Sequence, residues 1–183
     1  MSPRRRSFST SCRQVYRASS KPLVLFTAKR YLRAREAYSP VEELSGGAFR
    51  EVLDDPLARP EQVRRVVLAS GKVGLDLLVA RNEADRADVA IVRVEQLYPW
   101  PGPQIGAVMS AYPSATEVVW AQEEPANMGA WEFVRDRLGE IVGERQSLAR
   151  VARVASGSPA TGSHTLHDLE QADILQRALT PGS

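Results

Sequence analysis

The 183-residue chain contains one cysteine, Cys12, and two histidines, His164 and His167. A lone thiol can neither close an internal disulfide nor build a cysteine-rich metal site, which fits a reducing compartment. The histidines fall in "GSHTLH" beside Ser163, but no GxSxG elbow precedes them, so the parts of a Ser-His hydrolase are too few. No GxGxxG occurs, and no GxxxxGK followed by Ser or Thr, which removes the usual dinucleotide and phosphate-wrapping loops. No run approaches the ~20 apolar residues of a membrane span. No membrane partner is expected.

Charge is also scarce in net terms, at +2, and its basic part is badly spread. Arg4, Arg5, Arg6, Arg13, Arg17 and Lys21 fall in the first 21 residues, which hold no acid, and from Pro22 onward acids slightly outnumber bases. A nucleic-acid surface distributes its Lys and Arg over folded elements, so none is expected here. The opening "MSPRRRSFSTSCRQVYR" has the Arg-rich, Ser-rich, acid-free composition of a mitochondrial transit peptide, or of a start that never folds. Residues 1–20 are expected to form a disordered basic tail, and residues 21–183 one domain.

Within that domain, 43% hydrophobic against 25% charged residues over the chain is enough to build a core. "PLVLFT" (Pro22 to Thr27) is consistent with a buried strand. "SPVEEL" then opens a short helix, with Ser39 as cap, Pro40 at the first helical position and Glu42 as the answering carboxylate. "LDDPLARPEQ" (Leu53 to Gln62) reads as a loop. Strands follow over Val63 to Ser70, Ala87 to Gln96, "EVVWAQ" and Leu148 to Ser156. Helices lie between them, and a last amphipathic helix runs from about His167 to Leu179. Strands written as apolar runs and alternating with helices mean an α/β fold: a three-layer α/β/α sandwich around a mostly parallel sheet.

Ligands of such sheets gather where the strands end. Ser70-Gly71-Lys72 is one such end, open to a plain tight turn or to a weak anion site. "QEEPANMG" is another. Glu123 and Glu124 are sequence neighbours at a strand end, so their side chains should point apart rather than share a proton or a metal. Zinc would want His or Cys nearby, and Mg²⁺ would need acids or phosphates from elsewhere. The architectural reading has Pro125 ending the strand, Asn127 and Gly129 making the turn, and Trp131 buried on its helix with Val134 and Leu138.

The same words resemble the C-terminal region of 2-oxoglutarate dehydrogenase, first component, including the actinobacterial multifunctional form. "PLVLFTAKRYLR" is similar to that family's "PLxVFTPKxxLR", "SGK" and "DVAIVRVEQLYP" to its next two strand ends, and "QEEPANMGAW" to its "QEEPxNxGAW". "SPATGSHTLHDLEQADIL" resembles its ending, with His167, Glu170 and Gln171 in place. Ala28 departs from the family's proline, and Val154 stands where "RPxSASP" has another. The resemblance implies a transketolase-like C-terminal domain that packs on catalytic domains and supports a homodimer, with Glu123, Glu124, Asn127 and Trp131 as scaffold and interface. It implies that the full enzyme decarboxylates 2-oxoglutarate on thiamine diphosphate with Mg²⁺ and passes the succinyl group to the lipoyl-lysine of a dihydrolipoyl succinyltransferase. This chain carries no cofactor or metal site and no catalytic residue in that picture, and alone it is expected to be inactive.

The resemblance offers an alternative as well: a stand-alone nucleotide or acyl-CoA-binding regulatory module, with Lys29, Arg33 and Lys72 around the anion, or an inactive fragment. Since residues before about Val15 look unlike the family's approach to "PLVLFT", a fragment is expected rather than an import signal. Cytoplasm is then expected over the mitochondrial matrix.

Overall fold

The computed structural model describes residues 48–180. The basic tail, the strand expected at Pro22 to Thr27, Lys29, Arg33 and the helix start at Ser39 lie outside the described residues. A boundary falls after Glu51, and the unit from Val52 on holds all of the described secondary structure.

Its elements are β1 (Val52–Leu53), β2 (Arg65–Ala69), α1 (Lys72–Glu83), β3 (Val89–Val94), α2 (Gly102–Ser110), β4 (Glu117–Pro125), α3 (Trp131–Gly139), β5 (Ser147–Arg153) and α4 (His164–Leu179). The sheet order is β1-β3-β2-β4-β5. β2 pairs in parallel with β3 and β4, β4 in parallel with β5, and only the two-residue β1 runs antiparallel, against β3. The mostly parallel sheet read from the sequence is therefore correct. The expected loop from Leu53 to Gln62 gives up its first residue to β1.

Every residue of β2 is buried, as a strand covered on both sides requires. The period of two divides the apolar residues between two cores. Val66, Leu68, Ala90, Val92, Val118 and Trp120 meet α2 and α3 through Ile105, Met109, Val134 and Leu138. Val67, Ala69, Val89, Ile91, Val119 and Ala121 meet α1 and α4 through Val73, Leu77, Ile174 and Ala178. These are the three layers.

Local chemistry sets the helix ends. Gly71 enters α1 with φ of 80°, a left-handed conformation that glycine adopts without penalty. The tight-turn reading of Ser70-Gly71-Lys72 fits it. The last helix begins at His164 rather than near His167, because the Ser163 hydroxyl accepts from the Leu166 N–H and caps the extra turn. At its other end Arg65, buried at the start of β2, donates to the carbonyls of Arg177 and Ala178 at 3.0 and 2.9 Å. A cation there satisfies last-turn carbonyls and opposes the negative end of the helix dipole.

Trp131 differs from expectation: it is half-buried, whereas the fully buried tryptophan is Trp120, at 1% exposure. Trp131 is the first residue of α3 and sits beyond the strand ends, where only part of its ring can reach the core. Trp120 lies mid-strand under two helices.

Candidate functional site

The carboxyl ends of β2, β4 and β5 share one edge of the sheet. The chain leaves β2 toward α1 on one face and β4 toward α3 on the other, the arrangement that opens a crevice in parallel sheets. The turn after β4 is organised by a side chain. Gln122 is buried, and its carbonyl oxygen accepts from the Trp120 indole N–H and the Trp131 backbone N–H, both at 3.1 Å. Its amide donates to the carbonyls of Met128 at 2.7 Å and Pro125 at 3.3 Å. One buried amide thus closes the reversal that backbone bonds alone would leave open.

The backbone of Gly129 passes against that amide. Its φ is 78°, and a Cβ at this position would stand 2.6 Å from Gln122 Nε2 and 2.9 Å from Glu124 Cβ. Gly129→Ala is therefore expected to destabilise the protein by about 1–3 kcal/mol, from the strained conformation together with displacement of the amide. Urea unfolding of the full chain measures it, and a change within about 0.5 kcal/mol, the usual range for a neutral surface substitution, would show that the turn does not depend on this approach.

Glu123 and Glu124 do point apart. Glu124 is exposed. Glu123 turns inward to a short ion pair with Lys72, whose ammonium also meets Asp76 at 2.6 Å. Gln171 of α4 donates to the same Asp76 oxygen at 2.9 Å. Lys72 thus ties the start of α1 to the end of β4. Its charge is already met by two carboxylates, so an anion arriving here would have to displace them.

Asn127 exchanges two hydrogen bonds with Ser156, each 3.0 Å, so its side chain holds the loop after β5 as a strand neighbour would. Arg153, at the end of β5, anchors the same loop. It donates to the carbonyl of Glu123 at 2.6 Å, to the Thr161 hydroxyl at 3.0 Å, and meets Glu170 of α4 at 3.2 Å. The Thr161 hydroxyl, also bonded to Glu170, and then Arg153 hold the Glu170 carboxyl below its ordinary range. A lowered value means that this clasp contributes fully above the unfolded-state pKa of a glutamate and is lost as pH falls through the folded value. Trp131 carries the Arg150 guanidinium over its ring, 5.4 Å from the centroid.

Of the residues singled out in the sequence, Lys72 and Glu123 meet directly, Asn127 and Trp131 belong to the same turn, and Glu124 faces away. Two of the most connected side chains, Gln122 and Arg153, were not foreseen. Gln122 sits in an apolar run where a lone polar residue must find partners, and that signal could have marked it. Arg153 gives no such signal, since its partners lie in three separate segments, β4, the loop after β5 and α4. Among the described residues no group of three or more His, Cys, Asp or Glu side chains could hold a metal ion. The arrangement is mutually satisfied, with its polar groups spent on holding three loops together.

The 2-oxoglutarate dehydrogenase C-terminal family matches residues 38–179. The chain is 42% identical over 167 residues to a 2-oxoglutarate dehydrogenase E1 component of Cupriavidus necator, an overlap of 91% of this chain and 18% of the relative. A protein of the same description from Azotobacter vinelandii is 42% identical over 172 residues, covering 92% and 18%. A multifunctional 2-oxoglutarate metabolism enzyme of Mycobacterium sp. (strain JLS) is 37% identical over 167 residues, covering 88% and 13%. The chain thus spans less than a fifth of the length of these curated relatives. It belongs to the 2-oxoglutarate dehydrogenase C-terminal family, and its α/β sandwich is the fold that the resemblance led us to expect.

Proposed function

We infer that the chain serves as the C-terminal, assembly-directing domain of a 2-oxoglutarate dehydrogenase first component, one that acts in the cytoplasm. Such an enzyme decarboxylates 2-oxoglutarate on thiamine diphosphate and Mg²⁺ and hands a succinyl group to a dihydrolipoyl succinyltransferase. The chemistry belongs to the other domains of the enzyme and its homodimer mate. Glu123, Glu124, Asn127 and Trp131 belong to the scaffold and the surfaces that those domains meet. The observation that carries this reading is the family match across 38–179, with the family's "QEEPxNxGAW" word folded into a closed hydrogen-bonded turn.

The described residues do not fit a diphosphate and its metal. Lys72, a cation at the strand ends, is already engaged by Asp76 and Glu123, and among the described residues no third acid joins those two to hold Mg²⁺. A regulatory anion site would have to use Lys29 and Arg33 with Lys72 drawn away from its two carboxylates, and no observation favours that second reading.

The test has two arms. With thiamine diphosphate, Mg²⁺ and an artificial electron acceptor, the isolated chain is expected to give no turnover of 2-oxoglutarate above a heat-killed control. A chimera in which residues 38–179 replace the matching region of the Cupriavidus enzyme is expected to form its oligomer and turn over. Activity of the isolated chain, or a folded chimera that neither assembles nor turns over, would overturn the inference.

A further inference from the structure

The two edges of the sheet are unequal. β1, at one edge, has two residues. β5, at the other, has seven, Ser147–Arg153, and among the described residues pairs on one side only. The Ser147 N–H bonds to the Thr116 carbonyl and the Arg153 carbonyl accepts from the Ala126 N–H, each at 2.9 Å, so the odd-numbered residues of β5 aim their backbone at β4. Alternation then turns the N–H and C=O groups of Leu148, Arg150 and Ala152 to the open edge. Among the described residues only the last is covered: the Ala152 carbonyl accepts from Arg177 at 2.7 Å. Leu148 and Arg150 present four outward backbone groups.

Exposed edges are usually blunted by proline, a bulge, or a charge standing over the edge. From Ser147 to Ala152 there is no proline, and the register with β4 runs without a shift through Val151. Arg150 does not stand over the edge. Its guanidinium is drawn back onto Trp131 and donates to the Ala126 carbonyl at 2.7 Å. On the α3 side the edge is lined by half-buried Leu148, Trp131 and Val142, and on the other by exposed Ser147 and Ala149. Arg150 and the exposed Arg145 have no carboxylate within ion-pair distance among the described residues.

We propose that the open edge of β5 accepts an extended, acidic segment of another polypeptide, which adds a sixth strand beside Leu148 and Arg150. Backbone bonding supplies the register, as in other strand additions. Apolar residues of the incoming strand pack on Leu148 and Trp131, and its carboxylates meet Arg150 and Arg145. A second copy of this chain is the poorer occupant, because antiparallel pairing of β5 with itself sets the two Arg150 side chains on one face at cross-strand spacing, where like charges repel. This concerns an edge to which the family assignment gives no role.

The probe is the synthetic eight-residue peptide Thr-Val-Thr-Glu-Thr-Val-Thr-Glu, whose valines and glutamates share one face of a strand as Leu148 and Arg150 do, added to the full chain and followed by fluorescence anisotropy and by amide hydrogen exchange. Saturable binding that weakens with salt is expected, with exchange at Leu148 and Arg150 slowed at least about tenfold. Arg150→Glu is expected to weaken that peptide about tenfold or more and to favour its counterpart with lysine in place of glutamate. Should the glutamate variant fail to fold, Arg150→Gln tests the same loss of affinity. No binding at millimolar peptide, binding that leaves the two amides unprotected, or indifference to the Arg150 substitutions overturns the proposal. So does protection that appears without peptide alongside dimerisation, which would assign the edge to a second copy.

Discussion

Truncating Trp120 to alanine is expected to lower the unfolding free energy by about 3–5 kcal/mol, the range for a large aromatic removed from a core. The indole is 1% exposed and packs between β4 and the α2–α3 layer, where the backbone of a parallel sheet cannot collapse to refill the space. A second loss is chemical. The indole N–H is one of two donors to the Gln122 carbonyl oxygen, so the variant leaves that buried oxygen with the Trp131 N–H alone and loosens the turn as well as the core. Trp120→Phe separates the two contributions: it keeps most of the volume and removes the donor, and about 1–2 kcal/mol should suffice for it. Urea unfolding of the full chain followed by circular dichroism reads both variants. A loss under about 1 kcal/mol for the alanine variant would mean that the ring is not a core residue.

The same pair of tryptophans shows how much of the fold was legible. The alternation of apolar runs with helical segments carries the layer order, and the words at the strand ends carry the family. Those signals are local and repeat along the chain. Helical spacing places Trp131 on the apolar face of α3 but says nothing of where along the sheet the helix starts. Because α3 starts beyond the end of β4, the residue on the right face is only half covered. Trp120 sits in a run of four apolar strand residues, Val118 to Ala121, and a buried parallel strand gives no period by which to rank them. At the site, the divergence of Glu123 and Glu124 follows from the strand period alone. The partners of Glu123, Asn127 and Arg153 come from α1, α4 and the loop after β5, and pairings between distant segments leave no mark in a single sequence.

The segment read as a plain loop holds the clearest case of such a pairing. Asp55 is 5% exposed, and both of its carboxylate oxygens accept from the Arg81 guanidinium on α1, itself 5% exposed. The carboxylate also accepts from the backbone of Leu57 and of Ile91, each at 3.0 Å. The Ile91 bond explains the location, since β1 pairs with β3 only at Arg93 and Val94 and the side chain of Asp55 continues the edge where the strand has stopped. Its neighbour Asp54 accepts from the Tyr112 hydroxyl, and burial together with that bond pushes the Tyr112 phenol far above its ordinary value. One acid therefore fastens the loop to the α1 layer and the other to the α2 layer.

Asp55→Ala should cost about 3–5 kcal/mol, because it strands a buried guanidinium rather than because the pair itself is strongly stabilising. Arg81 Nε already lacks a partner, so the residue has no spare bond to fall back on. The distinction is measurable. If the penalty is that of an uncompensated charge, the double variant Asp55→Ala, Arg81→Met should recover much of the loss, and the two changes should couple by about 1–3 kcal/mol. Asp55→Asn, which keeps an acceptor for only one of the Leu57 and Ile91 N–H groups and removes the charge, should fall between wild type and alanine but nearer alanine. Urea unfolding of the wild type, these variants and the single Arg81→Met, which completes the cycle, settles the order. A double variant as unstable as the sum of its parts would show that Asp55 acts through the two backbone bonds alone, and that Arg81 reaches water when the carboxylate is gone.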